Sequence, residues 1–266
     1  MSIKHQQVWN PVVEQVISQL AGMYPPVIGI SGAQGSGKST LATLLGARLV
    51  EKDVQAVVVS LDDFYLTLEE RLQLSKNVHP LCRTRGVPGT HASERLVQMF
   101  DALAGGPAEF TVPRFDKAVD DRVREEVVMA DCVILEGWCL GVTAQPGDLL
   151  KLPVNSLEAE EDPDCIWRHW VNEQIHQRYE SLWNRVDYWV YLQVPGFDQV
   201  YEWRAQQEQT ISATQRMSED ELTRFINHYQ RLTQWVLNHP FPQGPGIQVA
   251  LDAQHQVQEI TELGSG

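Results

Sequence analysis

"GAQGSGKST", residues 32–40, decides how the rest of the chain is read. Gly32, Gly35 and Gly37 fall within six positions, and Lys38, Ser39 and Thr40 follow at once. So little side chain lets successive N–H groups point into one concavity. A helix that begins there adds positive potential from its free amides. Residues 32–39 match G-x-x-x-x-G-K-S/T without a gap, after the apolar run "VIGIS" (27–31) and ahead of the helical pattern "STLATLLGARLV" (39–50). That strand–loop–helix setting separates a phosphate loop from a glycine-rich turn that merely caps a helix. The expected nucleotide contacts are Gly32, Gly35, Ser36, Gly37, Lys38, Ser39 and Thr40. Lys38 would reach the β- and γ-phosphates, the Ser39 hydroxyl would ligate Mg²⁺, and Thr40 would touch the α-phosphate. ATP with Mg²⁺ is the expected cofactor pair.

Further strand patterns occur at "QAVVVSL" (55–61), "DCVILEG" (131–137) and "DYWVYLQV" (187–194), and "IQVALD" (247–252) reads as the last strand. Helical periodicity runs over 6–21, 91–103, 165–183, 197–210 and 218–239. Strands alternating with helices predict an α/β P-loop fold, a doubly wound parallel sheet with helices on both faces. One domain is expected over residues 1–266, with a leading helix inside 1–26. Residues 142–164 break the alternation with Gly, Pro, Asn and the acidic run "EAEEDPD" (158–164), and read as a surface insertion.

The formal net charge of the 266-residue chain is −14. Such a chain repels DNA and anionic membranes at long range, so neither is an expected partner. No apolar run approaches the ~20 residues that span a bilayer, and the polar first residues carry no signal-peptide pattern, so a cytoplasmic protein is expected. Cations for an anionic ligand must be local, and seven Lys or Arg residues fall from Arg83 to Arg124. The four cysteines form no C-x-x-C spacing, which leaves plain thiols rather than zinc ligands.

The guanine-reading N-K-x-D of a GTPase is absent, and so is the L-S-G-G-Q of transport ATPases. "VSLDDFYLT" (59–67) instead delivers two carboxylates, Asp62 and Asp63, at the carboxyl tip of a strand. Ligands of open α/β sheets bind at that edge, and a carboxylate there can accept the proton of an attacking hydroxyl. Glu136 ends the apolar strand "CVILEG" and suits Mg²⁺ or its water. The loop "RTRGVPGTH" (83–91) offers Arg83 and Arg85, whose forked donors fit a carboxylate. "PRFDKAVDDR" (113–122) adds Asp116 and Lys117 as candidates for an acceptor that bears hydroxyls and an anion.

Taken in order, "GAQGSGKST", "SLDDFY", "HPLCRTRGVPGTH", "PRFDKAVDDR", "VILEGWCLG" and "EWRAQQE" resemble the D-glycerate 3-kinase family, over roughly residues 20–255. More distantly the chain is similar to uridine kinase, phosphoribulokinase and pantothenate kinase. The resemblance implies a small-molecule substrate, a hydroxy acid with D-glycerate as the leading candidate. It aligns Asp62 with the catalytic base and leaves Asp63 beside it on the acceptor. It places Arg204 in a helical lid, residues 197–216, that closes over ATP. "NHYQRLT" (227–233) recurs in the family and draws attention to Tyr229 and Arg231. Two alternatives stay open: a kinase of this fold for a nucleoside, pantothenate or ribulose phosphate, and an ATP-binding regulatory protein without turnover.

Overall fold

The computed structural model describes residues 3–20, 26–210, 216–239 and 244–264. The N-terminal helix α1 is Ile3–Gln19. Of the segment expected to hold it, residues 1, 2 and 21–25 lie outside the described residues. The first strand, β1 (Val27–Gly32), is buried along its whole length and feeds the phosphate loop and α2 (Lys38–Val50). Next come β2 (Ala56–Ser60), a 3-10 turn over Leu61–Phe64, and α3 (Leu68–Asn77). A reciprocal pair starts α3: the Thr67 hydroxyl accepts from the Glu70 N–H, and Glu70 accepts from the Thr67 N–H.

After α4 (Ser93–Leu103) the chain makes an antiparallel hairpin of β3 (Ala108–Asp116) and β4 (Asp121–Ala130), apart from the main sheet. β5 (Cys132–Gly137) returns to the sheet as a fully buried strand. Residues 142–164 then hold a 3-10 turn at Gly147–Lys151 and the short α5 (Ser156–Glu161). The stretch expected as one helix over 165–183 is α6 (Ile166–Gln174), a π-helical turn at Ile175–Tyr179, and α7 (Glu180–Trp183). The remaining elements are β6 (Tyr188–Gln193), α8 (Phe197–Thr210), α9 (Glu219–Asn238), β7 (Gly246–Leu251) and β8 (Val257–Leu263).

The main sheet has the order β2-β5-β1-β6-β7-β8. All neighbours in it run parallel except β7 and β8. The antiparallel β8 corrects the expectation that 247–252 is the last strand. Its sequence, VQEITEL, has an apolar residue only at every third position, and none of its residues is buried, as suits an edge strand.

Successive strand residues point to opposite faces, and two cores result. Ile28, Ile30, Ile134, Val190 and Leu192 pack with α1 and α2 through Val12, Val16, Leu41 and Leu45. Val27, Val133, Leu135 and Trp189 pack on the other face with Leu96, Phe100, Val171, Tyr229 and Leu232 of α4, α6 and α9. Helices therefore cover both faces of a mostly parallel sheet, as the alternation of patterns predicts. No described helix is long and apolar enough to cross a membrane.

Candidate active site

The parallel register sets the site. Ser60 of β2 stands beside Glu136 of β5, which stands beside Ile30 of β1. Three carboxyl ends thus open onto one cleft of about 730 Å³, lined among others by Lys38, Ser39, Asp62, Arg83, Lys117 and Glu136.

The loop takes its shape at Gly37, where φ is 95° and a Cβ would come within 2.6 Å of the Trp9 ring. Only glycine meets both demands. Lys38 is buried, and its Nζ donates to the Ala33 carbonyl of the same loop at 2.9 Å. Burial lowers its pKa, and the carboxylates of Glu136 and Asp62 oppose that shift. The Ser39 hydroxyl donates to Glu136 Oε1 at 2.9 Å. A hydroxyl and a carboxylate side by side are hard oxygen donors of the kind Mg²⁺ takes. Among the described residues no cluster of three His, Cys, Asp or Glu side chains offers a cage. That suits an ion that keeps waters and phosphate oxygens as its other ligands. Thr40, Gly37 and Ser39 also border a second cavity of about 570 Å³, on the side walled by Val8, Trp9 and Gln254.

The two neighbouring aspartates part ways. The Asp62 N–H donates to the Ser60 hydroxyl at 3.3 Å, which starts the 3-10 turn. The Asp62 carboxylate lines the cleft, where Tyr65 Oη donates to Oδ1 at 2.6 Å and Lys117 Nζ to Oδ2 at 2.5 Å. Burial alone would raise Asp62, but the Lys117 ammonium and the Tyr65 hydroxyl outweigh it and hold the carboxyl below the usual range. Tyr65 is raised well above its ordinary value, first by burial and then by the Asp62 charge, so it stays a donor. Asp63, expected at the acceptor, is outside the cleft lining. It accepts from Arg114 Nη1 at 2.9 Å and from the Phe115 N–H at 3.3 Å, which pins β3 to the turn after β2. Asp116 is also outside the lining and accepts from the Ala118 N–H at 2.8 Å in the hairpin turn.

Arg83 and Arg85 both line the cleft. Arg85 pairs with Asp120, which also takes Arg71 at 3.1 Å. Arg83 is exposed and has no carboxylate partner among the described residues. Arg204 also lines the cleft, donates from Nη2 to Glu208 at 2.5 Å, and lies over the Phe225 ring at 5.0 Å. Of the expected lid, residues 211–215 lie outside the described residues. Sequence reading passed over Arg71, Tyr65 and Asp120. Tyr65 carried a signal, since a residue three after Asp62 eclipses it in a 3-10 turn. Arg71 carried none. It is almost fully buried, and its guanidinium donates to the carbonyls of Leu66, Arg83 and Asp120.

Tyr229 and Arg231 play different parts. Tyr229 lines the cleft and its hydroxyl donates to the Arg85 carbonyl at 3.0 Å. Arg231 lies away from it, paired at 2.7 Å with the buried Glu158. The four cysteines are free thiols, and burial pushes Cys82 and Cys132 up to about 12.

No protein-family model matches the chain. Among curated proteins, an uncharacterized kinase of Schizosaccharomyces pombe is 35% identical over 220 residues, 77% of this chain and 78% of that protein. The chloroplastic D-glycerate 3-kinase of Arabidopsis thaliana is 30% identical over 237 residues, 83% of this chain but 50% of the plant protein. The chain thus spans half the length of that relative. Among solved structures, the D-glycerate 3-kinase of Cryptococcus neoformans superposes with a TM-score of 0.78 at 25% identity, covering 98% of this chain and all of that one. The phosphate loop, the row of strand ends above it and these relatives agree: the chain belongs to the P-loop kinases of the D-glycerate 3-kinase type, phosphotransferases that act on an alcohol group.

Proposed function

We propose that the protein transfers the γ-phosphoryl group of Mg-ATP to a hydroxyl of a small hydroxy acid, with D-glycerate the favoured acceptor and 3-phosphoglycerate the product. One observation carries this reading. The cleft that holds Lys38 and Ser39 also holds Asp62 flanked by Lys117, with Arg83, which meets no carboxylate among the described residues, on the same lining. A neutral polyol would have no use for that surplus of cations, whereas a carboxylate matches it.

The acceptor oxygen attacks the γ-phosphorus, and the bond from that phosphorus to the β–γ bridging oxygen breaks. The acceptor's proton passes to Asp62, which is ionised at neutral pH because Lys117 and Tyr65 stabilise the anion. Lys38 and the loop amides hold the phosphate oxygens. Ser39 and Glu136 would hold Mg²⁺, which when bound neutralises charge on the phosphates. Arg83, Arg85 and Lys117 orient the acceptor's carboxylate. Arg204, in a lid of residues 197–216, approaches the transferred group and excludes water, which would otherwise compete as acceptor. Catalysis is then positioning and electrostatics, the usual means in phosphoryl transfer.

The test is ADP release with Mg-ATP against D-glycerate, L-glycerate, uridine, pantothenate and ribulose 5-phosphate. Turnover confined to D-glycerate is the expected result. Turnover with a nucleoside or pantothenate instead would replace the acceptor. No turnover with any of them, while ATP still binds, would favour a regulatory ATP-binding protein.

A further inference from the structure

The turn between β7 and β8 reaches back to the phosphate loop. Asp252 organises it, accepting from the N–H groups of Gln254 and Gln256 at 2.9 and 2.8 Å. At its tip His255 has φ of 60°, a conformation that residues with a Cβ hold only when their surroundings fix it. The His255 surroundings are specific. Nε2 lies 2.8 Å from the Gly35 carbonyl oxygen. That oxygen can only accept, so Nε2 carries the proton. The imidazole stacks on the Trp203 indole with centroids 4.0 Å apart and planes 22° apart. Trp203 Nε1 in turn donates to the Ala253 carbonyl at 3.0 Å, in the same turn as His255.

Gly35 is therefore gripped twice. Its carbonyl is held by His255, and a Cβ added to it would come within 2.9 Å of the Trp203 Cβ. The peptide linking Gly35 to Ser36 is planar and trans, so its C=O and N–H point in opposite directions. With the carbonyl tied to His255, the Ser36 N–H faces the other way. There it meets the Ala33 carbonyl at 3.2 Å, the same oxygen that Lys38 Nζ contacts.

We propose that His255 is a positioning residue for the phosphate loop: its Nε2–H fixes the Gly35–Ser36 peptide so that the Ser36 N–H closes the loop onto the Ala33 carbonyl beside Lys38, and its stacking on Trp203 ties that peptide to α8, which carries Arg204. Loading of the cradle and placement of the lid arginine are then mechanically linked through one imidazole. The inference concerns the nucleotide alone, and it stands or falls separately from the choice of acceptor.

The variant His255→Gly separates positioning from packing, because glycine accepts the left-handed backbone yet has no donor. Binding of a non-hydrolysable Mg-ATP analogue is measured without acceptor, beside thermal melting. The expected result is a melting temperature no lower than the parent's, with nucleotide binding ~3- to 10-fold weaker, the range of one neutral hydrogen bond. Added imidazole should recover part of the affinity by refilling the gap beside Trp203. Unchanged affinity would overturn the proposal, and so would a loss of affinity that merely follows a loss of melting temperature. Should the glycine variant fail to fold, His255→Asn gives the same reading, since asparagine tolerates this backbone but is too short to stack and reach Gly35. Failure of the parent to bind the analogue would remove the nucleotide site itself, and the inference with it.

Discussion

Two clusters of arginines and carboxylates in this molecule look alike on paper and behave as opposites. Under residues 142–164, Arg231 and Arg168 meet Glu158 and Asp162, all of them buried. Every arm is used: Arg231 donates to Glu158, Gln145, Leu149 and Leu152, and Arg168 to Asp162, Leu150 and Glu158. In the cleft, Lys117 is 61% exposed and holds Asp62 by one contact, and Arg83 meets no carboxylate among the described residues. A charge that is buried and fully bonded can serve only the fold, because no ligand can displace its partners without leaving another charge bare. A charge with one loose partner costs little to redirect. The difference lies in the number of bonds each group already makes, not in residue type.

That contrast can be broken by experiment. Arg231→Met strands Glu158 in the interior and should cost about 3–5 kcal/mol of unfolding free energy. The folded fraction should keep its kcat, so the check is a urea midpoint beside a rate normalised to folded protein. A kcat that collapses while the midpoint stays put would move Arg231 into the chemistry. Asp62→Asn should do the reverse, lowering kcat by at least ~100-fold with the midpoint unchanged and nucleotide still bound. A near-parental rate would remove Asp62 as the base.

Acid sharpens the comparison, because one buried histidine stands in each region. His91 stacks on Tyr65 beside the cleft, and His228 packs edge-on to Trp167 beside the buried cluster. Burial lowers each to about 4. Each Nε2 is buried without a hydrogen-bond partner among the described residues, as fits a neutral ring. Between ~6.5, the ordinary histidine value, and 4 the unfolded chain binds protons that the folded chain refuses. Stability is therefore complete above about pH 6.5 and falls as the pH drops toward 4. At pH 5 each histidine should remove about 2 kcal/mol. His228→Gln should halve that acid sensitivity in urea unfolding at pH 7.5 and 5, whereas an unchanged pH dependence would mean that His228 titrates freely.

The phosphate loop, the strands around it and the sheet class were legible in the sequence because each is local: an apolar run, a glycine pattern, a helix. The meeting of Ser39 with Glu136 was legible too, since strand ends in a parallel sheet fall in one row. The parting of Asp62 from Asp63 was not. A 3-10 turn sends neighbouring side chains about 120° apart, so one faces the cleft and the other Arg114, and nothing in "DD" says which. The hairpin of β3 and β4 was missed although "AEFTV" (108–112) alternates apolar with polar residues; the charges Arg114, Arg124, Glu125 and Glu126 interrupt the pattern, with Arg114 pairing to Glu126 across it. The π-helical turn at Ile175–Tyr179 was invisible to a 3.6-residue period, yet the hydroxyl of Tyr179 within it accepts from the Gly89 N–H and meets His91 at 2.8 Å. α3 was missed as well, although Thr67 and Glu70 have the spacing of a capping box.

β8 has a bearing on how copies of this protein meet one another. The outermost strand of a sheet is an open ladder, and a second molecule can stack on it as the first step toward aggregates. Here that strand presents Glu259 and Glu262 on an already acidic chain. Like charges would face each other across any such contact, so β8 is a bumper against stacking. Cut away from Val257 onward, the protein would bare the flank of β7, where Ile247, Val249 and Leu251 would head a far stickier edge.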